Sequence, residues 1–395
     1  MAIDLRRPNR LERIRSGFEV EHGRHLEIDI VRGGALFGVF LANLQSLTYP
    51  GIYLPPLAFA DHTSVDRTVE AFIRSFAEGS FYPLFAALFG FGLTTQMQRS
   101  GFINVYFRRR LLVLLGFGLL HASLVWEGDI LVPYALLGFA LIPLRDRSTR
   151  TLLFVICGCL IYSLTMFYIA FSTGETPQSY LELVMTTYAQ GSYFDATQLR
   201  LLDLSVVLVE ALVYFPHLLA CFLLGLLAVR RGVARILSAR PLLQRTLALS
   251  LGIGLPVTIT HSVVMLTQPV IPPWLSALDT TLGSAALGFS YAAGLLLLLQ
   301  SPSWQRRLKL LRFVGRASLS NYLLQSIIFT SLYYGYGGGL YARVPLSVSV
   351  LLALVFYTLQ VLASRWWLSR YAQGPVEALW RHLTYDKTAV LSREP

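Results

Sequence analysis

The chain has 395 residues, of which 54% are hydrophobic and only 14% charged, and its mean hydropathy is +0.56. This composition excludes an ordinary soluble protein, because such proteins contain about 25% charged residues. The formal net charge of +11 raises the question of nucleic-acid binding, but the 33 Lys and Arg residues lie in short segments between apolar runs. That placement favours an integral membrane protein, and we expect no nucleic-acid partner.

The first 27 residues form a polar leader rich in arginine. No short apolar core lies near its start, so we expect no cleavable signal peptide and interpret residues 1–27 as a basic cytoplasmic tail. The three cysteines are few and odd in number, and Cys157 and Cys159 lie two positions apart in an apolar run. This spacing predicts neither a disulfide framework nor a metal site.

Ten apolar runs follow, and each is a candidate for a helix that crosses the bilayer. The fourth run is short, and the second is long enough to tilt in the membrane. The sequence therefore predicts an all-α fold, a polytopic membrane helix bundle of about ten transmembrane helices. The runs cover residues 28–49, 69–97, 109–127, 129–144, 151–172, 202–229, 243–268, 275–299, 311–335 and 346–369.

The distribution of basic residues predicts how these spans are oriented. With the N-terminus inside, 28 of the 33 Lys and Arg residues fall in inner segments, and the outer segments hold only Arg67, Arg200 and Arg343. Cytoplasmic loops carry such an excess, so both termini are predicted to be cytoplasmic. The chain then divides into a basic tail (1–27), two membrane halves of five spans each (28–200 and 201–369) and a cytoplasmic interfacial tail (370–395).

The first span carries polar residues on one of its faces. Asp29, Arg32 and Asn43 share this face, since eleven residues make about three helical turns. Arg32 lies one turn inside the membrane and needs a partner there, and Asp29 at i−3 is the nearest one available. The pair is either a structural salt bridge at the inner end of the span or part of a functional site.

The second span contains three charges at four-residue intervals, which can pair along one helix face. We interpret them as self-compensating charges near the outer surface. They are Glu70, Arg74 and Glu78.

The segment 108–131 contains three consecutive arginines, an apolar stretch with His121, and then Gly128-Asp129. An ionisable residue inside a span is costly and is by default a functional-site hypothesis. A neutral imidazole can accept a proton from a hydroxyl or an amine, so His121 is a candidate general base. Asp129 would lie about 12 Å farther along a continuous helix. It could orient the ring only if the helix breaks at Gly128; otherwise a carboxylate of another span would be needed, or the histidine is only hydrogen-bonded between helices.

Asn321 and Gln325 lie four residues apart in the ninth span and so share a helix face. They form either a polar strip toward a cavity or an interhelical hydrogen-bond network. The run YYGYGGGLY at residues 333–341 follows at the outer end. It could cap a site or belong to the interfacial belt of aromatic residues.

Five stretches of the chain together resemble one known family, in order and over nearly its whole length. They are LEIDIVRGGALFGVFLANL (26–44), FYPLFAALFGFGL (81–93), RRLLVLLGFGLLHASLVWEGDILVPYALLG (109–138), VGRASLSNYLLQS (314–326) and GPVEALWRHLTY (374–385). These stretches resemble the YeiB family of multispan bacterial membrane proteins, whose C-terminal half is a domain of unknown function. The resemblance implies a multi-pass protein of the bacterial plasma (inner) membrane.

The wider superfamily that this family resembles includes membrane acyltransferases. In those relatives an acyl group from cytoplasmic acyl-CoA reaches an acceptor at or beyond the far face, and a histidine and an arginine are essential. The matching positions here are Arg32 and His121. A lysosomal relative carries its histidine in the loop after its first span, where this chain has His62, so His62 is the alternative base.

These resemblances imply an integral-membrane acyltransferase that uses a cytoplasmic acyl-CoA-type donor and an acceptor near the outer face. Such a reaction needs a base, donors for the oxyanion and contacts for the donor phosphates, but no metal and no tightly bound cofactor. The acceptor would be a glycan, a lipid or a small molecule, and self-association in the bilayer is left open. The rival hypotheses are a transporter or channel for a small polar or anionic solute and a structural or sensor protein. The candidates are His121, Arg32 and Asp129 for catalysis, Asn43, Asn321, Gln325 and Tyr134 for the substrate or oxyanion, and Arg109, Arg110 and Arg381 for the donor.

The predicted orientation can be tested by labelling single cysteines on a cysteine-free background with a membrane-impermeant thiol reagent. Cysteines in the loops at 145–150, 230–245 and 301–310 should react only after the cells are opened, because these loops carry the basic excess. Cysteines at 336–345 should react in intact cells. Labelling of the 230–245 loop from outside would overturn the orientation.

Overall fold

A computed structural model describes residues 20–21, 24–51, 63–98, 104–173, 176–268 and 270–385, without the side chains of 20, 21, 24, 204–211 and 234. Its secondary structure is helical apart from one short antiparallel pair, β1 (Val20–Glu21) with β2 (Arg24–His25). Most of the predicted tail 1–27 and His62 lie outside the described residues.

Seven helices lie among the described residues between positions 26 and 190, with one π-helical turn, Arg74–Glu78, between the second and the third. The helices are α1 (Leu26–Thr48), α2 (Ser64–Ile73), α3 (Gly79–Met97), α4 (Asn104–Leu124), α5 (Leu131–Leu144), α6 (Thr149–Thr173) and α7 (Gln178–Gln190).

Ten further helices complete the described chain, and a second π-helical turn, Asp279–Gly283, joins two of them. They are α8 (Tyr193–Arg230), α9 (Val233–Ser238), α10 (Arg240–Thr267), α11 (Pro273–Leu278), α12 (Ser284–Leu298), α13 (Pro302–Leu308), α14 (Leu311–Arg316), α15 (Ser318–Tyr333), α16 (Leu346–Leu368) and α17 (Pro375–Thr384).

Each predicted span coincides with a helix or a pair of helices, which confirms the all-α membrane bundle. Among the described residues, seven helical segments are long and apolar enough to cross a bilayer. The count of ten remains a prediction, because α5 has only 14 residues, α15 has 16, and α4 contains three consecutive arginines in its second turn. A helix of 14 residues is about 21 Å long, which is less than the hydrocarbon core of about 30 Å.

Two predicted boundaries are wrong, and both errors concern the site. In the span predicted at 109–127 the helix already ends at Leu124. Residues 125–130 form a connection to α5 instead. The span predicted at 311–335 is divided between α14 and α15, with a break at Ala317. In both places the backbone at the break is hydrogen-bonded by groups from distant parts of the sequence, which local patterns do not reveal.

The first span is the centre of the bundle. In the apolar 18-residue stretch of α1, 78% of the residues are buried within the protein, whereas the corresponding share for α10 is 17%. Helix α1 packs against α3, α14, α15 and α16. The outer helices instead expose large apolar side chains such as Leu249 and Ile253 of α10. This distribution is expected when the bilayer covers the surface.

Helices α1 and α14 approach so closely that their backbones touch at two glycines. A Cβ added to Gly315 would lie 1.9 Å from the carbonyl oxygen of Asp29, and one added to Gly33 would lie 2.3 Å from the carbonyl oxygen of Leu311. Small residues permit this kind of contact between membrane helices. Because Asp29 also lines the cavity described below, the close approach positions one wall of the site.

We predict that Gly315→Ala lowers the free energy of unfolding by about 1–3 kcal/mol, the usual cost of overpacking a close contact. The matched control is Gly34→Ala, where the nearest atom to the new Cβ is 3.7 Å away. Thermal unfolding in a fixed detergent would compare the two. Equal midpoints for Gly315→Ala and the control would contradict the close approach.

Candidate functional site

A helix break brings His121 and Asp129 together. Helix α4 ends at Leu124, and the backbone N–H groups of Val125 and Trp126 both donate to the carbonyl oxygen of His121 at 2.9 Å. The chain then turns through residues 125–130 and restarts as α5. A break of this kind is one of the alternatives that the sequence left open for bringing a carboxylate to the imidazole ring of His121.

The two side chains form a buried pair. Nδ1 of His121 lies 2.8 Å from Oδ1 of Asp129, and each side chain is only 2% exposed. The other oxygen, Oδ2, accepts a hydrogen bond from the backbone N–H of Val132 at 2.7 Å. The carboxylate is therefore fixed by the start of α5, and it holds the proton of His121 on Nδ1. Nε2 then carries the lone pair, and it has no hydrogen-bond partner among the described residues.

Gly118 makes room for this turn. A Cβ at this position would lie 2.6 Å from the backbone nitrogen of Val132 and 3.0 Å from Oδ2 of Asp129. The glycine is one helical turn before His121, so the loop can fold back directly onto the helix. Gly118 thus serves close packing.

A cavity of about 730 Å³ lies near this pair and is lined by residues of α1, α3, α4, α15 and α17. Its charged lining comprises four arginines and two carboxylates, which leaves an excess of positive charge. His25 also lines the cavity, but it adds no positive charge near neutral pH. Burial lowers its pKa below the usual value, and the nearby Asp29 only partly opposes this shift. The charged residues are Arg32, Arg110, Arg316 and Arg381, with Asp29 and Glu377.

Helix α17 forms one wall of the cavity. Trp380 is buried, its Nε1–H donates to the carbonyl oxygen of Arg110 at 2.8 Å, and the Arg110 guanidinium lies 3.7 Å from the ring centroid. Leu379 and Leu383 point outward and are exposed. The sequence predicts an interfacial helix here, and the structure adds that its tryptophan packs into the protein. Arg381 lines the cavity and is otherwise exposed.

Glu377 of α17 caps the start of α15. Its Oε1 accepts hydrogen bonds from the backbone N–H groups of Leu319 at 2.8 Å and Ser320 at 3.2 Å, and the Ser320 hydroxyl donates to Oε2. The first N–H groups of a helix lack partners within the helix and carry partial positive charge, so a carboxylate stabilises them. This contact explains why α15 begins at Ser318.

We predict that Glu377→Ala lowers the free energy of unfolding by about 1–2 kcal/mol, since hydrogen bonds to a charged group are lost from a helix start. Glu377→Gln should fall between this variant and the original protein because one acceptor oxygen is kept. His382→Ala, an exposed position on the same helix, is the control. A Glu377→Ala variant as stable as the control would refute the capping role.

The deep end of the cavity approaches the His121–Asp129 pair without contacting it. Tyr322 of α15 and Ile130 line it, and the Tyr322 ring lies 5.3 Å from the His121 ring, centroid to centroid. The Tyr322 hydroxyl accepts a hydrogen bond from the backbone N–H of Ile130 at 3.2 Å. One aromatic side chain thus separates the cavity from the histidine. Sequence reasoning did not select Tyr322, although its place in the polar run SNYLLQS was a signal.

Four of the predicted site residues lie at the cavity. Arg32 forms the expected ion pair with Asp29, with Nη1 3.2 Å from Oδ1. Tyr134 lies at the deep end and donates from its hydroxyl to the carbonyl oxygen of Tyr82 at 3.2 Å. Arg110 and Arg381 complete the set.

Other predicted residues lie away from the cavity. Nδ2 of Asn321 donates to the carbonyl oxygen of Ala317 at 2.8 Å and to Ser364 at 2.9 Å, while Gln325 donates to Gln360 at 2.9 Å. These amides therefore belong to an interhelical network with α16, and their donors are not directed at a substrate. The sequence left this alternative open because one helix face does not reveal its partner.

Two further predicted positions are also outside the cavity. Asn43 is buried and accepts a hydrogen bond from the Tyr82 hydroxyl, so it reaches the cavity only through Tyr82 and Tyr134. Arg109 is exposed on α4 and does not line the cavity. Of the two α4 arginines that the sequence proposes for the donor, Arg110 is therefore the one that lines the cavity.

The charges of the second span pair with one another as predicted. Nε of Arg74 lies 2.9 Å from Oε1 of Glu70, and its Nη1 lies 3.7 Å from Oε2 of Glu78. Nη2 also donates to the carbonyl oxygen of Gly51 at 2.8 Å.

The fold and the site together define a polytopic membrane protein with a buried histidine–carboxylate pair next to a basic cavity. A family described as a protein of unknown function, DUF418, matches residues 228–387. The chain is 31% identical over 387 residues to the uncharacterized protein YxaH of Bacillus subtilis, covering 91% of this chain and 93% of that protein. It is 30% identical over 396 residues to the uncharacterized protein YeiB of Escherichia coli, covering 91% and 96%.

The chain therefore belongs to the YeiB-like family, with DUF418 as its C-terminal portion. This confirms the resemblance carried by the five sequence stretches. No solved structure is significantly similar to it.

Proposed function

We propose that this protein is an acyltransferase of the bacterial inner membrane that moves an acyl group from a cytoplasmic acyl-CoA-type donor to an acceptor near the outer face. The observation that carries the proposal is the buried His121–Asp129 pair one side chain away from a basic cavity. The pair supplies an oriented base, and the cavity supplies a place for an anionic donor. Both are needed for acyl transfer from a thioester.

The cavity suits the donor in size and charge. A volume of about 730 Å³ falls in the usual range for small-molecule sites. Arg110, Arg316 and Arg381 lie toward the inner rim, where guanidinium groups can pair with phosphates. The acyl end of the donor would extend past Arg32 toward Tyr322. Acyl-CoA acts here as a substrate that exchanges at each turnover and is not tightly bound.

In the proposed step the acceptor hydroxyl gives its proton to Nε2 of His121 as its oxygen attacks the thioester carbonyl carbon. Asp129 keeps Nδ1 protonated and stabilises the imidazolium that forms, as in other base–carboxylate pairs. The tetrahedral oxyanion accepts hydrogen bonds, for which the Arg32 guanidinium is the candidate in place of the interhelical amides. The Tyr322 hydroxyl already donates to the carbonyl oxygen of Gly128 at 3.4 Å. The C–S bond then breaks, and the leaving thiolate takes the proton from His121.

The rival hypothesis is a transporter for a small anionic solute, for which the same basic cavity would be the inner half of a pathway. In that case His121 and Asp129 would bind or carry protons without forming any ester. An assay for acyl transfer separates the two hypotheses directly, because a transporter leaves the acyl-CoA intact.

We predict that His121→Ala and Asp129→Asn each reduce acyl transfer from labelled acetyl-CoA to a membrane extract, His121→Ala by a factor of about 100–10,000. His217→Ala is the matched control, since His217 is also a buried histidine without a hydrogen-bond partner among the described residues, but lies on α8 away from the cavity. All variants would be checked for monodispersity.

The proposal fails if the original protein consumes no acyl-CoA under conditions in which it transports a labelled anion. The histidine assignment fails if His121→Ala keeps full turnover. Loss confined to His62→Ala would move the base to the outer loop.

A further inference from the structure

A second polar environment lies on the other side of the loop 125–130 from the cavity. Arg200 of α8 is 1% exposed, and its Nη1 donates to the carbonyl oxygen of Leu124 at 3.1 Å. Trp126 packs edge to face against His121, with ring centroids 6.4 Å apart. We call this region the outer cluster, and it consists of Trp126, Glu127, Tyr188, Arg200, Tyr334 and Tyr336.

The outer cluster contains buried polar atoms that have no hydrogen-bond partner in the described parts of the chain. They are Nε1 of Trp126, Nε of Arg200 and the hydroxyl of Tyr334. Nε2 of His121 also has no partner among the described residues, and the His121 ring packs against Trp126 of the cluster. Buried polar groups are nearly always paired, so several such atoms in one cluster indicate that a polar ligand or water completes them. Together they offer three donors and one basic nitrogen.

The charges of the outer cluster favour a neutral ligand. The guanidinium of Arg200 lies 5.6 Å from the Tyr334 ring centroid and 6.0 Å from that of Tyr336, so the aromatic faces already surround a cation. A cationic ligand would be repelled by Arg200. An anionic ligand would meet the acidic side chains of Glu127 and Asp203, both of which are buried nearby.

We propose that the outer cluster binds the acceptor of the acyl transfer and that this acceptor is a neutral, polyhydroxylated compound, of which a sugar ring is the simplest form. The proposal rests on the proposed function. Aromatic rings pack against the C–H face of such a ring, while the N–H and O–H donors contact its oxygens. One hydroxyl then presents its proton to Nε2 of His121, on the side of the ring opposite Asp129.

The structure records this cluster closed. Tyr334 and Tyr188 stack with centroids 4.4 Å apart, and the glycine-rich segment that follows Tyr334 lies over them. The backbone N–H of Gly335 donates to the carbonyl oxygen of Tyr188 at 2.8 Å, and that of Tyr341 to Tyr333 at 2.7 Å. Outward movement of this segment would open the cluster to an acceptor from the outer face while the cavity receives the donor from inside.

The test uses two adjacent tyrosines. Tyr334→Phe removes the hydroxyl that has no partner, whereas Tyr333→Phe removes a hydroxyl that donates to Ser349 at 2.7 Å outside the cluster. Tyr334→Phe should unfold at an unchanged or higher temperature and Tyr333→Phe at a lower one, because only the second variant loses a hydrogen bond. This comparison shows that both variants fold before binding is measured.

Binding would be followed by intrinsic tryptophan fluorescence of the full chain in lipid nanodiscs, with trehalose, N-acetylglucosamine and glycerol as neutral probes and choline and succinate as charged ones. At least one neutral probe should bind saturably, and Tyr334→Phe should weaken it about tenfold, while Tyr333→Phe leaves it unchanged. Absence of binding by every neutral probe, equal binding by Tyr334→Phe, or preference for choline or succinate would overturn the proposal.

The two proposals fail separately. Saturable binding that depends on Tyr334 without any consumption of acetyl-CoA supports the site and rejects acyl transfer. Acyl transfer whose acceptor KM is the same in Tyr334→Phe and the original protein supports the function and rejects the site.

Discussion

The arrangement of this protein depends on one contact, the hydrogen bond between Nδ1 of His121 and Oδ1 of Asp129 across a broken helix. Both side chains are buried in a bundle that crosses a low-dielectric membrane, where an isolated charge would be very costly. The burial of the pair is possible because the two side chains are hydrogen-bonded to each other. In addition, the backbone N–H of Val132 at the start of α5 donates to the second carboxylate oxygen. A continuous helix from α4 into α5 would place the two side chains about 12 Å apart.

Distant parts of the chain maintain this break. Arg200 and Tyr193 both donate to the carbonyl oxygen of Leu124, the last residue of α4. A helix ends with carbonyl groups that lack partners within the helix, so these donors stabilise the end. At the other end of the loop the Tyr322 hydroxyl accepts a hydrogen bond from the backbone N–H of Ile130. The loop is thus fixed at one end by α8 and at the other by α15, and the histidine ring packs against two aromatic side chains, Trp126 and Tyr322.

Composition and charge placement predicted the fold class, since apolar runs and the positive-inside rule act locally and leave direct marks on the sequence. They also predicted the Asp29–Arg32 pair, because the two residues are one turn apart. The break at 125–130 was only one of several alternatives, because its stabilising donors come from α8 and α15. The roles of Asn321 and Gln325 were undetermined for the same reason: a helix face can be read from spacing, but its neighbour α16 cannot.

The most direct measurement of the central claim is an experimental structure of the protein with a thioether analogue of acetyl-CoA, which cannot transfer its acyl group. The account predicts that the phosphates lie among Arg110, Arg316 and Arg381 and that the acyl end lies beside Tyr322, within one side chain of Nε2 of His121. An analogue bound elsewhere, or bound with its acyl end directed away from Tyr322, would contradict it.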